Sequence, residues 1–287
     1  MASAPQQYIL KLWCPDRLGI VAAVAGFLAQ QDCNILESAQ FDDEVTGRFF
    51  MRTLFAAGEG SPSQEHLRAA FAAIGKRFHM DWELHDAQVK PRVVILVSKL
   101  DHCLNDLLHR YRTAAIGMQI PAIVSNHPDL RPLADFHGIP YHYLPVTPET
   151  RSQQEKELLR IVEGTGADLV VLARYMQILS PELCVQLRGR IINIHHSFLP
   201  SFVGAKPYHQ AYARGVKLIG ATAHYVTEEL DAGPIIEQET VRVTHAHNPE
   251  QLIALGRDLE NVVLARALKY HCEHRVLLNG DKTVVFQ

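Results

Sequence analysis

The sequence predicts an α/β protein in two parts: a ferredoxin-like βαββαβ unit over residues 1–88, then a mostly parallel, helix-covered sheet over residues 89–287. Three observations carry this reading. Strand-like and helix-like stretches follow one another in the order βαββαβ as far as residue 86. The stretch AQVKPR at 87–92 then interrupts the pattern as a linker does. Beyond it, short continuous apolar runs alternate with helical stretches, as expected of strands covered on both faces.

In the first part, YILKLW (8–13) reads as a strand and CPDRLG as the turn after it. IVAAVAGFLAQQ follows, with Ile20, Val21, Val24, Phe27 and Leu28 spaced by three and four on one helix face. NILESAQFDD and GRFFMRTLFA read as strands joined by a turn at Gly47. SQEHLRAAFAAIGKRF reads as a helix opened by Ser63, with Glu65 in its first turn, and MDWELHD as the closing strand. A sheet covered by two helices on one face leaves its other face and its edges to be shielded, often by a second copy, so a homo-oligomer is expected.

In the second part VVILV (93–97), AIVS (122–125), YHYLP (141–145), DLVVLA (168–173) and RIINI (190–194) read as strands. CLNDLLHRYRTAAI, SQQEKELLRIVEGTG and PELCVQLRG read as helices between them. LIGATAHYVT with GPIIEQETVRV reads as a hairpin-type extension, and NPEQLIALGRDLENVVLARALKYHCEH as a long amphipathic helix.

Composition narrows the function. Among 287 residues, 28 Lys and Arg stand against 31 Asp and Glu, which excludes a broad basic face for nucleic acid. No apolar run approaches the roughly 18–20 residues of a membrane span. The start MASAPQQYIL shows no secretory pattern. Cys14, Cys33, Cys103, Cys184 and Cys272 are odd in number, widely spaced and form no CxxC pair, so reduced thiols and a cytoplasmic location are expected.

Ligands of open parallel sheets bind beyond the carboxyl ends of the strands. After RIINI, Asn193 and His195 alternate at a strand end and so face one side. Glu228–Pro234 places Asp231 in a Gly/Pro loop between two strands. An amide, an imidazole and a carboxylate together suit acyl transfer. Each also has a plain structural reading, a strand histidine or a turn aspartate. His195, His196, His209 and His224 match neither HExxH nor HxxxH, and no metal is expected. A serine hydrolase is disfavoured because no G-x-S-x-G turn occurs.

The block NIHHSFLPSFVGAKPYHQAYARGVKLIGATAHYVTEELDAGPIIEQ resembles the centre of the folate-dependent formyltransferase fold. CPDRLGIVAAVAGFLAQQDCNILESAQ resembles an ACT domain, a small-molecule sensing module. In this order, over nearly the whole chain, they resemble the formyltetrahydrofolate deformylases. The resemblance implies hydrolysis of 10-formyltetrahydrofolate to formate and tetrahydrofolate, with folate as substrate and no cofactor. It implies that the formate feeds purine synthesis and that the step balances the one-carbon pool. The family's catalytic Asn-x-His falls on Asn193 and His195, its catalytic Asp on Asp231, and its second histidine on His224. Its folate-bordering segment matches Arg174–Ser180, which implies folate contacts at Tyr175, Met176, Gln177, Ile178 and Leu179. Val226 and Leu230, in the loop leading to Asp231, join them as candidates. In the ACT family the turn at Asp16, Arg17 and Gly19, with Asn34, borders an amino-acid site at a paired interface; glycine and methionine are the candidate effectors. The transferases commonly carry Pro where this chain has His196, and the role of His196 is open.

Ribonucleotide-using formyltransferases hold a phosphate on a Gly-rich turn after the first strand of this fold. Here that turn reads Ser98-Lys99-Leu100-Asp101-His102-Cys103, with no glycine and with acids at Asp101 and Asp106. Lys99 reads as a solvated loop lysine, and water is the simplest remaining acceptor. The pattern SxxxHCLxDLL, from Ser98 to Leu108, also resembles the deformylases. Two other readings use the same residues: formyl transfer to an amine, and a non-catalytic folate or amino-acid sensor.

Overall fold

The structure, a computed structural model, describes residues 5–58, 62–200 and 207–287. By compactness the chain divides into Met1–Lys90 with Glu273–Asn279 and Thr283–Gln287, and Pro91–Cys272 with Gly280–Lys282.

The first unit runs β1 (Gln7–Pro15), α1 (Ile20–Gln30), β2 (Cys33–Asp43), β3 (Arg48–Ala57), α2 (Gln64–Phe78) and β4 (Asp81–Asp86). Its sheet has the order β2-β3-β1-β4, with every pairing antiparallel. The two-residue period of β1 sends Tyr8, Leu10, Leu12 and Cys14 to the helix-covered face, where they meet Val24, Phe27 and Leu28 of α1 and Leu67 and Phe71 of α2. Phe71 ties this core together, edge-on to Phe27 at 5.2 Å and to Trp82 at 4.9 Å. Ser63 caps α2 as its sequence position indicates, its hydroxyl accepting from the His66 amide at 3.3 Å.

The second unit runs β5 (Arg92–Val97), α3 (His102–Arg112), β6 (Gln119–Ser125), α4 (Arg131–Phe136), β7 (Tyr141–Tyr143), α5 (Arg151–Gly164), β8 (Leu169–Leu172), α6 (Pro181–Gln186), β9 (Ile191–His195), α7 (Pro207–Arg214), β10 (Leu218–Tyr225), β11 (Ile235–Arg242) and α8 (Pro249–Cys272). Its seven-stranded sheet has the order β11-β10-β9-β8-β5-β6-β7. The strands from β9 to β7 are parallel, and β10 lies antiparallel to both β9 and β11. The α/β class, the ferredoxin-like unit and the mostly parallel sheet with a hairpin-type extension are all present. Val93–Val97 are wholly buried, which is why β5 reads as an unbroken apolar run.

Several elements depart from the sequence reading. Helix α3 stops at Arg112, and Ala114 just beyond has φ 55, so TAAI lies outside the helix. The YHYLP strand ends at Tyr143, before Pro145. Helices α4 and α7 are short, and a short helix carries little periodic signal. The tail forms β12 (Val276–Asn279) and β13 (Lys282–Val285). The expected second part ran to residue 287, but most of this tail groups with the first unit. There Leu277 and Phe286 pack on Phe50, Arg275 Nη1 donates to Glu37 at 2.9 Å, and Asn279 Nδ2 donates to Asp43 at 2.6 Å. Among the described residues no helix is long and apolar enough to cross a membrane.

Candidate active site

The site is built at the carboxyl ends of β8 and β9, as expected for a parallel sheet. A cavity of about 620 Å³ opens there, lined by residues from β9, the segment after β8 and the loop between β10 and β11. Asn193 and His195 both line it, as their two-residue spacing requires. The chain leaving β9 is held by Thr222 of β10, whose hydroxyl donates to the Ser197 carbonyl at 2.9 Å and accepts from the Leu199 amide at 3.1 Å. Residues 201–206, part of the block that carries the formyltransferase resemblance, lie outside the described residues.

Asp231 reaches the cavity on a tight loop, with φ 56 at its own backbone. A Cβ on Gly233 would overlap the Tyr225 carbonyl oxygen, so only glycine lets the loop turn back here. The Tyr225 amide donates to the Pro234 carbonyl at 2.9 Å and closes the turn. The carboxylate then lies 3.2 Å from His195 Nδ1 and 3.7 Å from His224 Nε2. A carboxylate only accepts, so Nδ1 of His195 carries the hydrogen and Nε2 is directed elsewhere. Among the described residues that Nε2, buried in a residue that lines the cavity, has no hydrogen-bond partner. The hydrogen bond from His195 holds the Asp231 carboxyl well below the usual carboxylate range, against the upward push of burial.

His224 lies opposite Asn193 in the β9–β10 register. Its Nδ1–H donates to the Tyr225 carbonyl at 2.8 Å. In the neutral ring Nε2 is therefore an acceptor, and Asn193 Nδ2 donates to it at 3.2 Å. This contact uses one of the two N–H groups of the Asn193 amide.

The segment after β8 is pinned by Ser98, whose hydroxyl donates to Asn126 Oδ1 at 2.7 Å and accepts from the Met176 amide at 2.9 Å. Tyr175, Met176, Gln177, Ile178, Leu179, Val226 and Leu230 all line the cavity. They do so in different ways. Tyr175 is buried, its hydroxyl accepts from Gln154 Nε2 at 3.0 Å, and burial pushes its phenol up to about 12. Met176, Ile178 and Leu230 are exposed, apolar surface that a flat ring would cover.

Sequence reasoning left other lining residues without a role. His102, Arg174, Tyr208 and Glu260 form an ionic cluster in the same cavity, and His196 lies beside His195 with ring centroids 5.1 Å apart. Burial, then the charge of Arg174, push His196 down to about 4, so its ring is neutral. Glu260 had a legible signal: with Leu252, Gly256 and Leu264 it forms an i, i+4 row on the buried face of α8, where an acid needs a partner. His102, Cys103 and Glu260 also place ligand atoms within 4.8 Å of one another, but the Arg174 guanidinium shares that space and opposes a cation. Lys99 is exposed. Asp16, Arg17, Gly19 and Asn34 are exposed on the first unit, with Gly19 at φ 91 where α1 begins.

Comparison with known proteins adds to this geometry. Residues 8–69 match the ACT domain and residues 91–268 the formyl transferase family. The chain is 48% identical over 281 residues to formyltetrahydrofolate deformylase of Corynebacterium sp. (strain P-1), covering 98% of each chain. It superposes on the crystal structure of formyltetrahydrofolate deformylase from Burkholderia mallei with a TM-score of 0.94 at 55% identity, covering 99% of this chain and 100% of that one. For the crystal structure of a formyltetrahydrofolate deformylase from Pseudomonas syringae pv. tomato the TM-score is 0.96 at 50% identity, covering 100% of this chain and 96% of that one.

Proposed function

Because the chain belongs to the formyltetrahydrofolate deformylase family, it hydrolyses 10-formyltetrahydrofolate to formate and tetrahydrofolate, and we propose that Asn193, His195 and Asp231 carry that reaction. One observation supports this assignment above the others: His195 is bonded through Nδ1 to an ionised Asp231, while its buried Nε2, in a residue that lines the cavity, has no hydrogen-bond partner among the described residues.

Nε2 takes a proton from water as the water oxygen bonds to the formyl carbon. The Asp231 carboxylate stabilises the imidazolium that forms. The second N–H of Asn193 donates to the formyl oxygen as it gains negative charge; a donor of this kind typically contributes about 10²–10³ in rate. When the carbon–N10 bond breaks, His195 returns the proton to N10; tetrahydrofolate leaves with formic acid, which gives its proton to solvent and becomes formate. His224 acts at one remove, fixing the Asn193 amide and flanking Asp231. Met176, Ile178 and Leu230 cover the pterin faces, and Tyr175, Gln177, Leu179 and Val226 complete its pocket.

The reaction needs only substrate and water, and no cofactor or metal is part of the proposal. The ACT domain is proposed to bind an amino-acid effector near Asp16, Arg17, Gly19 and Asn34. Pairing of two copies through this domain is supported by Ile35, Leu36 and Phe41, exposed apolar residues on edge strand β2. The free, buried cysteines support a cytoplasmic location.

The test uses the full chain with 10-formyltetrahydrofolate and no amine. Formate and tetrahydrofolate should appear continuously in equal amounts. Turnover that begins only when an amine is added would overturn the reading.

A further inference from the structure

The reaction above leaves the polar cluster on one side of the cavity unused. Its centre is Glu260, 1% exposed. His102 Nε2–H, at the start of α3, donates to Glu260 Oε2 at 2.7 Å. The Tyr208 hydroxyl, from α7, donates to Oε1 at 3.0 Å. Arg174 Nε stands 3.4 Å from Oε2. Burial drives the Glu260 carboxyl upward, but the His102 hydrogen bond and the Arg174 charge outweigh it and keep the group ionised. The backbone is shaped for this cluster. A Cβ on Gly256, one turn before Glu260, would overlap the Tyr208 ring, so glycine there admits the ring against α8.

Arg174 bears two penalties at once. Its backbone lies at φ 64, the left-handed region that disfavours a side chain. Its side chain is 10% exposed, and its buried Nε, though 3.4 Å from Glu260 Oε2, makes no well-aligned hydrogen bond to a described residue. Backbone strain and a poorly aligned buried donor persist together only where the surroundings impose them, and such places cluster at functional sites.

The strand order locates this residue relative to the chemistry. Asp231 comes from beyond β10, Asn193 and His195 from β9, Arg174 from the end of β8, and His102 from beyond β5. Arg174 and His102 therefore lie on the β8–β5 side of Asn193 and His195 in the cavity they all line. Resting on the hydrolysis reading above, we propose that Arg174, held by Glu260, fills the acceptor side of the formyl site and determines that water, not a primary amine, receives the formyl group. Water passes beside the guanidinium, whereas an amine and its substituent need the volume the side chain occupies. Amines in neutral water are also mostly ammonium ions, which a fixed guanidinium repels. With the side chain removed, an amine nitrogen would bond to the formyl carbon, the carbon–N10 bond would break, and the amine proton would pass through His195 to N10. The products would be an N-formyl amine and tetrahydrofolate.

Arg174→Gly is the direct test, since glycine adopts the same φ without strain. The full chain is incubated with 10-formyltetrahydrofolate and increasing glycinamide, and formate and N-formylglycinamide are measured together. Their ratio does not depend on how much of the protein is folded. Wild type should give formate alone. The variant should raise the share of formylated amine about tenfold or more above the wild-type background, the scale set by a lost steric or polar discrimination. Glu260→Gln, which loosens the guanidinium without removing it, should shift the ratio the same way but less. Formate as the sole product of both variants would overturn the proposal. So would loss of all turnover in both, which would place Arg174 in the reaction itself. Absence of formate from wild type would instead refute the hydrolysis reading.

Discussion

Asp231→Asn isolates the charge behind the proposed proton relay. The variant keeps the shape of the side chain, and Asn tolerates the positive φ at this position, so the loop should hold. Its carboxamide oxygen still accepts from His195 Nδ1–H. What disappears is the negative charge facing the imidazolium formed during turnover. At the 3.2 Å separation seen here and an effective dielectric constant of about 20, that attraction is about 5 kcal/mol. At about 1.4 kcal/mol per decade it amounts to nearly four decades in rate, a ceiling that agrees with the roughly 10²–10⁴ usual for proton-transfer catalysis. The assay is formate release at saturating 10-formyltetrahydrofolate, beside a folate-binding measurement to show that the pocket is intact. A variant that binds folate and keeps more than about a tenth of the wild-type kcat would show that the carboxylate does not support the relay.

Two further outcomes follow from the packing of the site. His196 is held at about 4 in the folded protein against 6.5 when free, so the unfolded chain takes up its proton first as the pH falls. Stability should therefore decline between pH 6.5 and 4; from pH 7 to 5 this one group accounts for up to about 2 kcal/mol. Urea unfolding of wild type and His196→Asn at both pH values checks this, and equal losses in the two proteins would refute it. Gly256→Ala places a methyl group into the Tyr208 ring and should cost about 1–3 kcal/mol by overpacking. Thermal unfolding measures that cost, and an unchanged midpoint would mean that Tyr208 does not depend on the notch in α8.

Much of this molecule was written in local pattern. Strands such as β5 and β8 are unbroken apolar runs because both faces are covered, and their alternation with helices is enough to predict a parallel sheet. Asn193 and His195 were legible for the same kind of reason: two residues apart on a strand, they share a side. Asp231 was singled out by its Gly/Pro loop, His224 and the pocket walls through family resemblance, and their meeting depends on the β9–β10 register and the turn at Gly233. Short elements such as α4 and α7, and the tail hairpin that packs on Phe50, carry too few residues to show a period. Glu260 alone of the ionic cluster left a trace in the sequence; its meeting with the other members needed the tertiary structure. His102 meets Glu260 across 158 residues of sequence, and nothing in an arginine side chain announces that its backbone will be left-handed. Periodicity reports which face of an element is buried; which buried charges share a cavity is settled only when distant elements pack together.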